Sequence, residues 1–215
     1  MTVDIFYDAD RSLLSDWTDS DSSDTESYHS FQSSDTEKDY NKNIEYELYL
    51  EKCYNETSIC DKEIYVFDYD DTIRLHTLRQ EERECYENKL YDYMLSLKKK
   101  NKKLYLVSYN LNPFGSSFTK DFNKRFSVLF DGLIYPQPIP ENKFTNKTAY
   151  NYTCRCGYYY VYTPKHIDII EIAEKHKVPL NKVIFFDDNA EQIKLAREAG
   201  IPSIHVSIKF GVPMP

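Results

Sequence analysis

The chain has 215 residues, 27 basic against 35 acidic side chains, a formal net charge of −8 and 41% hydrophobic residues. That length holds one α/β domain with a substantial core plus an extension. No apolar run is long enough to span a bilayer, and the acidic balance does not favour nucleic acid as a partner.

The charge is uneven along the chain. Residues 1–43 contain eleven acids against Arg11, Lys38 and Lys42, so the whole net charge sits in the first fifth. This stretch is rich in Ser, Asp and Thr and poor in aliphatics, a composition that cannot offset its own ordering entropy. It is expected to be a disordered acidic tail (1–43) ahead of a folded domain (44–215). The repeated Ser-Ser-Asp-Thr-Glu at 22–26 and 33–37 resembles acidophilic-kinase targets, so the tail is a candidate for phosphorylation. Ile5-Phe6-Tyr7, Leu13-Leu14 and Trp17 are its apolar points for docking a protein partner. Met1-Thr2-Val3-Asp4 lacks the basic-then-apolar start of a secretory signal, which predicts an intracellular protein, cytoplasmic or nuclear. Five scattered cysteines suit reduced thiols better than a disulfide framework, and Cys154-Arg155-Cys156 has no second ligand pair at zinc-finger spacing.

From residue 44 the pattern alternates. Ile44 to Tyr54 reads as an amphipathic helix, and Ile64-Tyr65-Val66-Phe67 as a strand buried on both faces. Tyr86, Leu90, Met94 and Leu97 recur at helical spacing, which predicts a helix over 79–100. The lysines at 98–100, 102 and 103 then compensate its dipole. Leu104 to Val107 is a second buried strand, 116–126 a helix and 130–135 a third strand. The stretch from Pro136 to Tyr162, with three prolines and six tyrosines, reads as irregular. A helix opens at Pro164, where a first-turn proline is tolerated. Val183 to Phe186 is a strand, 190–199 a helix stopped by Gly200, and 203–207 a fifth strand. Strands interleaved with helices predict an α/β fold: a doubly wound, Rossmann-like parallel sheet of about five strands with its ligand site at the carboxyl strand ends.

Two of those strands end in acids: Asp68-Tyr69-Asp70-Asp71-Thr72 after the first, and Asp187-Asp188-Asn189 after the fourth. Carboxylates that close repel and resist burial unless paired or bound to metal. Two buried strands, each ending in acids, imply a hard-cation site at the carboxyl edge of the sheet.

Asp68-x-Asp70-x-Thr72, then Ser108 after a strand, Lys165 at a helix start and Asp187-Asp188 after a further strand resemble, in that order, the four motifs of the haloacid dehalogenase superfamily. The resemblance covers about residues 62–207. The Phe-Phe-Asp-Asp-Asn form of the last motif is most similar to the capless magnesium-dependent phosphatases and the phosphoprotein phosphatase branch. It implies a phosphatase using Mg²⁺, with Asp68, Asp70, Asp187 and Asp188 around the metal, Asp70 through its main-chain carbonyl. Spacing between the motifs leaves no room for a large cap.

A carboxylate can hold a phosphoryl group as an aspartyl-phosphate, a role for Asp68. Asp70 would protonate the departing oxygen and later take a proton from water. Ser108 would hydrogen-bond a phosphoryl oxygen, and Lys165 would neutralise growing charge. Thr72 would cap the turn after Asp68, and Asp71 is read as a plain turn residue. A capless site favours a phosphoprotein or another accessible phosphoester. The alternatives are a small-molecule or nucleic-acid-end phosphatase with 136–162 as lid, and a non-catalytic regulator that binds through its tail.

Overall fold

The structure is a computed structural model that describes residues 34–110, 120–144, 151–155 and 158–214. A compact unit spans Tyr40–Pro215. The proposed docking points and first phosphorylation repeat of the acidic segment, and Cys156, lie outside the described residues.

The fold is α/β. Five parallel strands, β1 (Ile64–Phe67), β2 (Lys103–Val107), β3 (Gly132–Ile134), β7 (Val183–Asp187) and β8 (Ser203–His205), form a sheet in the order β3-β2-β1-β7-β8. Because side chains alternate along a strand, each central strand feeds two cores. Tyr65, Phe67, Leu104, Leu106, Ile184 and Phe186 face one side, where α2 (Gln80–Lys99) contributes Tyr86, Leu90, Met94 and Leu97. Cys53 of α1 (Ser34–Glu56) and Phe126 of α3 (Lys120–Ser127) join that layer. Ile64, Val66, Tyr105, Val107, Val183 and Phe185 face the other, against α4 (Lys165–His176) and α5 (Ala190–Glu198). Burial on both faces is why β1 and β7 read as unbroken apolar runs rather than alternating ones. Phe67 and Phe186, paired in register, stack at 5.0 Å.

Two readings of the sequence need correction. The described residues of 136–162 are not all irregular. They carry a three-stranded antiparallel sheet of β4 (Pro138–Pro140), β5 (Asn151–Arg155) and β6 (Tyr158–Tyr162), in the order β4-β6-β5. The prolines that signalled irregular chain sit in an edge strand, where a missing N–H is tolerated, and the tyrosine run has the aromatic and β-branched character of a strand. Tyr159 of that run stacks on Phe144 at 4.4 Å. Among the described residues this small sheet is the whole insertion, and they hold no large cap. Secondly, α1 begins at Ser34, ten residues before the apolar periodicity starts.

Among the described residues no helix is long and apolar enough to cross a membrane. Cys53, Cys60, Cys85 and Cys154 are free thiols.

Candidate active site

Register builds the site. Phe67 pairs with Leu106 on one side and Phe186 on the other, so Asp68, Asp187 and the residues around Ser108 emerge together at the carboxyl edge. The Asp68 N–H extends the ladder by donating to the Phe186 carbonyl at 2.9 Å, and the Ser108 N–H does the same to Ile134 at 3.0 Å. Asp68, Ser108, Lys165 and Asp187 are all buried.

Lys165, the first residue of α4, reaches into this edge. Its Nζ donates to Asp187 Oδ2 at 2.7 Å and lies 2.9 Å from Asp68 Oδ1. The ammonium also stands over the Tyr109 ring, 5.0 Å from its centroid. A cation at a helix N-terminus is disfavoured by the dipole, and here two carboxylates compensate it. Burial alone would push the Lys165 ammonium down, but Asp68 and Asp187 hold it above its ordinary value.

Carboxylate oxygens of Asp68, Asp187 and Asp188 lie within 4.8 Å of one another. One ammonium does not balance three acids. Burial, with the charge of Asp68 added, pushes both Asp187 and Asp188 upward. An all-oxygen donor set with an excess of negative charge is what a hard divalent cation takes, so these residues fit Mg²⁺. Two contacts fix the last motif in place. The Asn189 N–H donates to Asp187 Oδ1 at 2.7 Å, and the His205 ring bonds the Asp188 carbonyl at 2.7 Å. Asn189 also caps α5, its side chain accepting from the Glu191 and Gln192 amides.

Asp70 points its carboxylate elsewhere. Asn110 Nδ2 donates to Oδ2 at 2.8 Å, and the His76 ring bonds Oδ1 at 3.0 Å. Ser108 Oγ accepts the Asn110 N–H at 3.1 Å, which leaves its own proton to donate. The turn between Asp68 and Ile73 is closed by main-chain bonds from Ile73 and Arg74 to the Tyr69 carbonyl, both 3.0 Å. Asp71 takes the left-handed conformation, φ 49°, and its carboxylate accepts the His76 N–H at 2.9 Å. Thr72 does not cap this turn: its buried hydroxyl has no hydrogen-bond partner among the described residues, while its carbonyl accepts Tyr86 Oη at 2.6 Å.

The structure therefore brings Asp68, Lys165, Asp187 and Asp188 into one cluster and sets Asp70 and Ser108 beside it, joined through Asn110. The sequence pattern did not single out His76, Asn110 or Tyr109 for the site.

No protein-family model matches the sequence, and a search of curated proteins returns no match. Among solved structures, the chain is similar to the N-terminal part of a Bacteroides fragilis protein that contains a phosphatase domain complexed with Mg. Identity is 13% over 68% of this chain and only 36% of that one, with a TM-score of 0.45. It is also similar to 3-deoxy-D-manno-octulosonate 8-phosphate phosphatase from Moraxella catarrhalis, solved with magnesium and phosphate ions. There identity is 15% over 71% of each chain, TM-score 0.42. A haloacid dehalogenase-like hydrolase from Streptococcus pneumoniae aligns at 16% identity over 71% of this chain and 88% of that one, TM-score 0.39.

Proposed function

We propose that the protein is a Mg²⁺-dependent phosphomonoester hydrolase of the haloacid dehalogenase type. The observation that supports this best is the placement of Lys165 between Asp68 and Asp187, 2.9 and 2.7 Å away, at the carboxyl edge of the sheet. Asp68, Asp187, Asp188 and the Asp70 carbonyl would hold the metal, which supplies charge neutralisation for the phosphoryl oxygens.

An Asp68 carboxylate oxygen attacks phosphorus, and the bond from phosphorus to the ester oxygen breaks. Asp70 gives its proton to that oxygen, releasing an alcohol. Water then attacks the aspartyl-phosphate, Asp70 takes the water's proton, and the bond between Asp68 and phosphorus breaks to free phosphate. Ser108 donates to a phosphoryl oxygen, and Lys165 balances the charge that accumulates in both steps.

The substrate in this reading is an accessible phosphoester, a phosphoprotein included. Cavity-lining Tyr135, Gln137 and Tyr162 beside Ser108 also favour a second form of it, in which the 136–162 segment contacts the leaving group of a smaller ester. A non-catalytic role has less support, since an idle site gains nothing from crowding three acids. The free thiols fit a reducing, intracellular setting.

The test is turnover of a generic aryl phosphate by the full chain, with Mg²⁺ and with chelator, against Asp68→Asn. Metal-dependent hydrolysis lost in the variant is expected. Equal inertness of both proteins across pH 5–8 with Mg²⁺ present would end the enzyme reading.

A further inference from the structure

Beside Ser108 a recess of about 90 Å³ is lined by Tyr109, Tyr135, Gln137, Tyr162 and Asp168. Its walls come from the ends of β2, β3 and β6 and from the first turn of α4. Tyr109 and Tyr162 meet edge to face at 5.4 Å, so two of the rings brace each other. Among the described residues no lysine, arginine or histidine lines it.

Asp168 is the one charged group there among the described residues. It is half-buried, forms no ion pair among them, and is pushed up to about 6 by burial and then by Glu171. An acid in a first helical turn is ordinary dipole placement. That accounts for its position along α4, but not for its opening into a recess walled by tyrosines. Lys165 nearby does not neutralise it, because that ammonium is matched by Asp68 and Asp187. A carboxylate in an aromatic-lined recess is chemistry that attracts a cation, through its charge and through the low dielectric of its walls. The volume is far below the roughly 300 Å³ at which drug-sized pockets begin, so the group it takes is small.

We propose that this recess is the subsite for an ammonium or guanidinium group carried by the phosphoester a few bonds from phosphorus. The inference rests on the hydrolase reading for the phosphoester and on the recess itself for the cation. Ser108 belongs to both, lining the recess while facing the phosphoryl group, which sets the short reach between them. The cation comes either from an aminoalkyl phosphate or from a basic residue next to a phosphorylated side chain.

The experiment compares kcat/KM for 2-aminoethyl phosphate against ethyl phosphate. A second arm uses phosphoserine peptides with Lys or Ala following the phosphoserine. Wild type is expected to prefer the cationic member of at least one pair by about tenfold, the scale of one desolvated cation contact. The preference should fall toward unity in Asp168→Asn and persist in Asp168→Glu, which keeps the charge and controls for folding. Preference in the first pair alone identifies a small ester, and in the second alone a peptide. No preference in either pair, or one that survives in Asp168→Asn, overturns the proposal. If no ester is hydrolysed, a generic aryl phosphate included, the hydrolase reading fails by itself. The recess is then tested by titrating ethylammonium into wild type and Asp168→Asn with tyrosine NMR shifts as readout. Weaker binding in the variant supports the cation subsite; equal binding, or none to either protein, overturns it.

Discussion

Lys165 and Asp187 form a buried ion pair at 2.7 Å that ties the start of α4 to the end of β7. The pair leaves Asp188, with Asp68 2.9 Å from the same ammonium, as surplus negative charge. In the proposed reading, stability of the domain and affinity for a divalent cation would thereby be coupled.

Replacing Lys165 by Met should expose that coupling. Removing one member of a buried pair leaves an uncompensated charge, a loss of about 3–5 kcal/mol. In chelator the variant is expected to melt well below wild type. Mg²⁺ should raise its melting temperature by more than it raises that of wild type, because the cation then answers charge that Lys165 no longer does. Thermal melts with Mg²⁺ and with chelator decide this; an equal shift in both proteins would show that the ammonium and the cation do not share the acids.

Asp70→Asn should separate leaving groups. General acid help is worth roughly 10²–10⁴-fold, and it matters most where the departing oxygen is strongly basic. Hydrolysis of an alkyl phosphate is expected to fall by that factor, while an aryl phosphate with a good leaving group falls far less in its first step. Single-turnover rates for the two esters check it. A uniform loss across both would assign Asp70 to binding or metal placement instead.

Asn110 and His76 hold the two oxygens of Asp70 at 2.8 and 3.0 Å. They are positioning residues in this reading. Asn110→Ala and His76→Ala should each lower kcat about tenfold with little change in KM, the scale of one charge-assisted hydrogen bond. The double variant should lose less than the product, because one misplaced carboxylate cannot be misplaced twice. The leaving-group dependence described for Asp70→Asn should appear in weaker form, which a merely structural role for either residue would not produce.

The sequence disclosed most where chemistry and burial coincide. Asp68 and Asp187 were legible because a buried apolar strand rarely stops at clustered acids unless a cation holds their charge, and the parallel register then had to bring them together. Lys165 was readable through its order in the chain. His76 and Asn110 were not, because a hydrogen bond across a tight turn or between neighbouring strand ends leaves no periodic trace. The small antiparallel sheet was missed for a related reason. Pro138 and Pro140 carry the signal of a breaker, and only the pairing of β4 with Tyr158–Tyr160 shows that they occupy an edge. The recess by Asp168 depends on that sheet, so it was invisible as well.

At the opposite edge of the sheet, Asp131 gives a pH prediction free of the metal question. Its Oδ2 accepts Lys98 Nζ at 2.7 Å and the Leu104 N–H at 2.9 Å, and Oδ1 lies 3.4 Å from Lys103 Nζ. Burial alone would raise this carboxyl, but the Lys98 bond, the Leu104 amide and the two ammonium charges together bring it below its ordinary value. A group depressed in the folded state binds its proton more readily when unfolded. Its contribution is therefore present above the unfolded value, about 3.9, and fades as pH falls through the lower folded value. Asp131→Asn should cost about 1–2 kcal/mol at neutral pH, the scale of a hydrogen bond to a charged group in a partly exposed setting. The gap between wild type and variant should hold steady from pH 7 to about 5 and close below about 4, where wild type loses its advantage. Denaturant unfolding across that range measures it, and a gap that persists unchanged into acid would place the contribution of Asp131 in its shape rather than its charge.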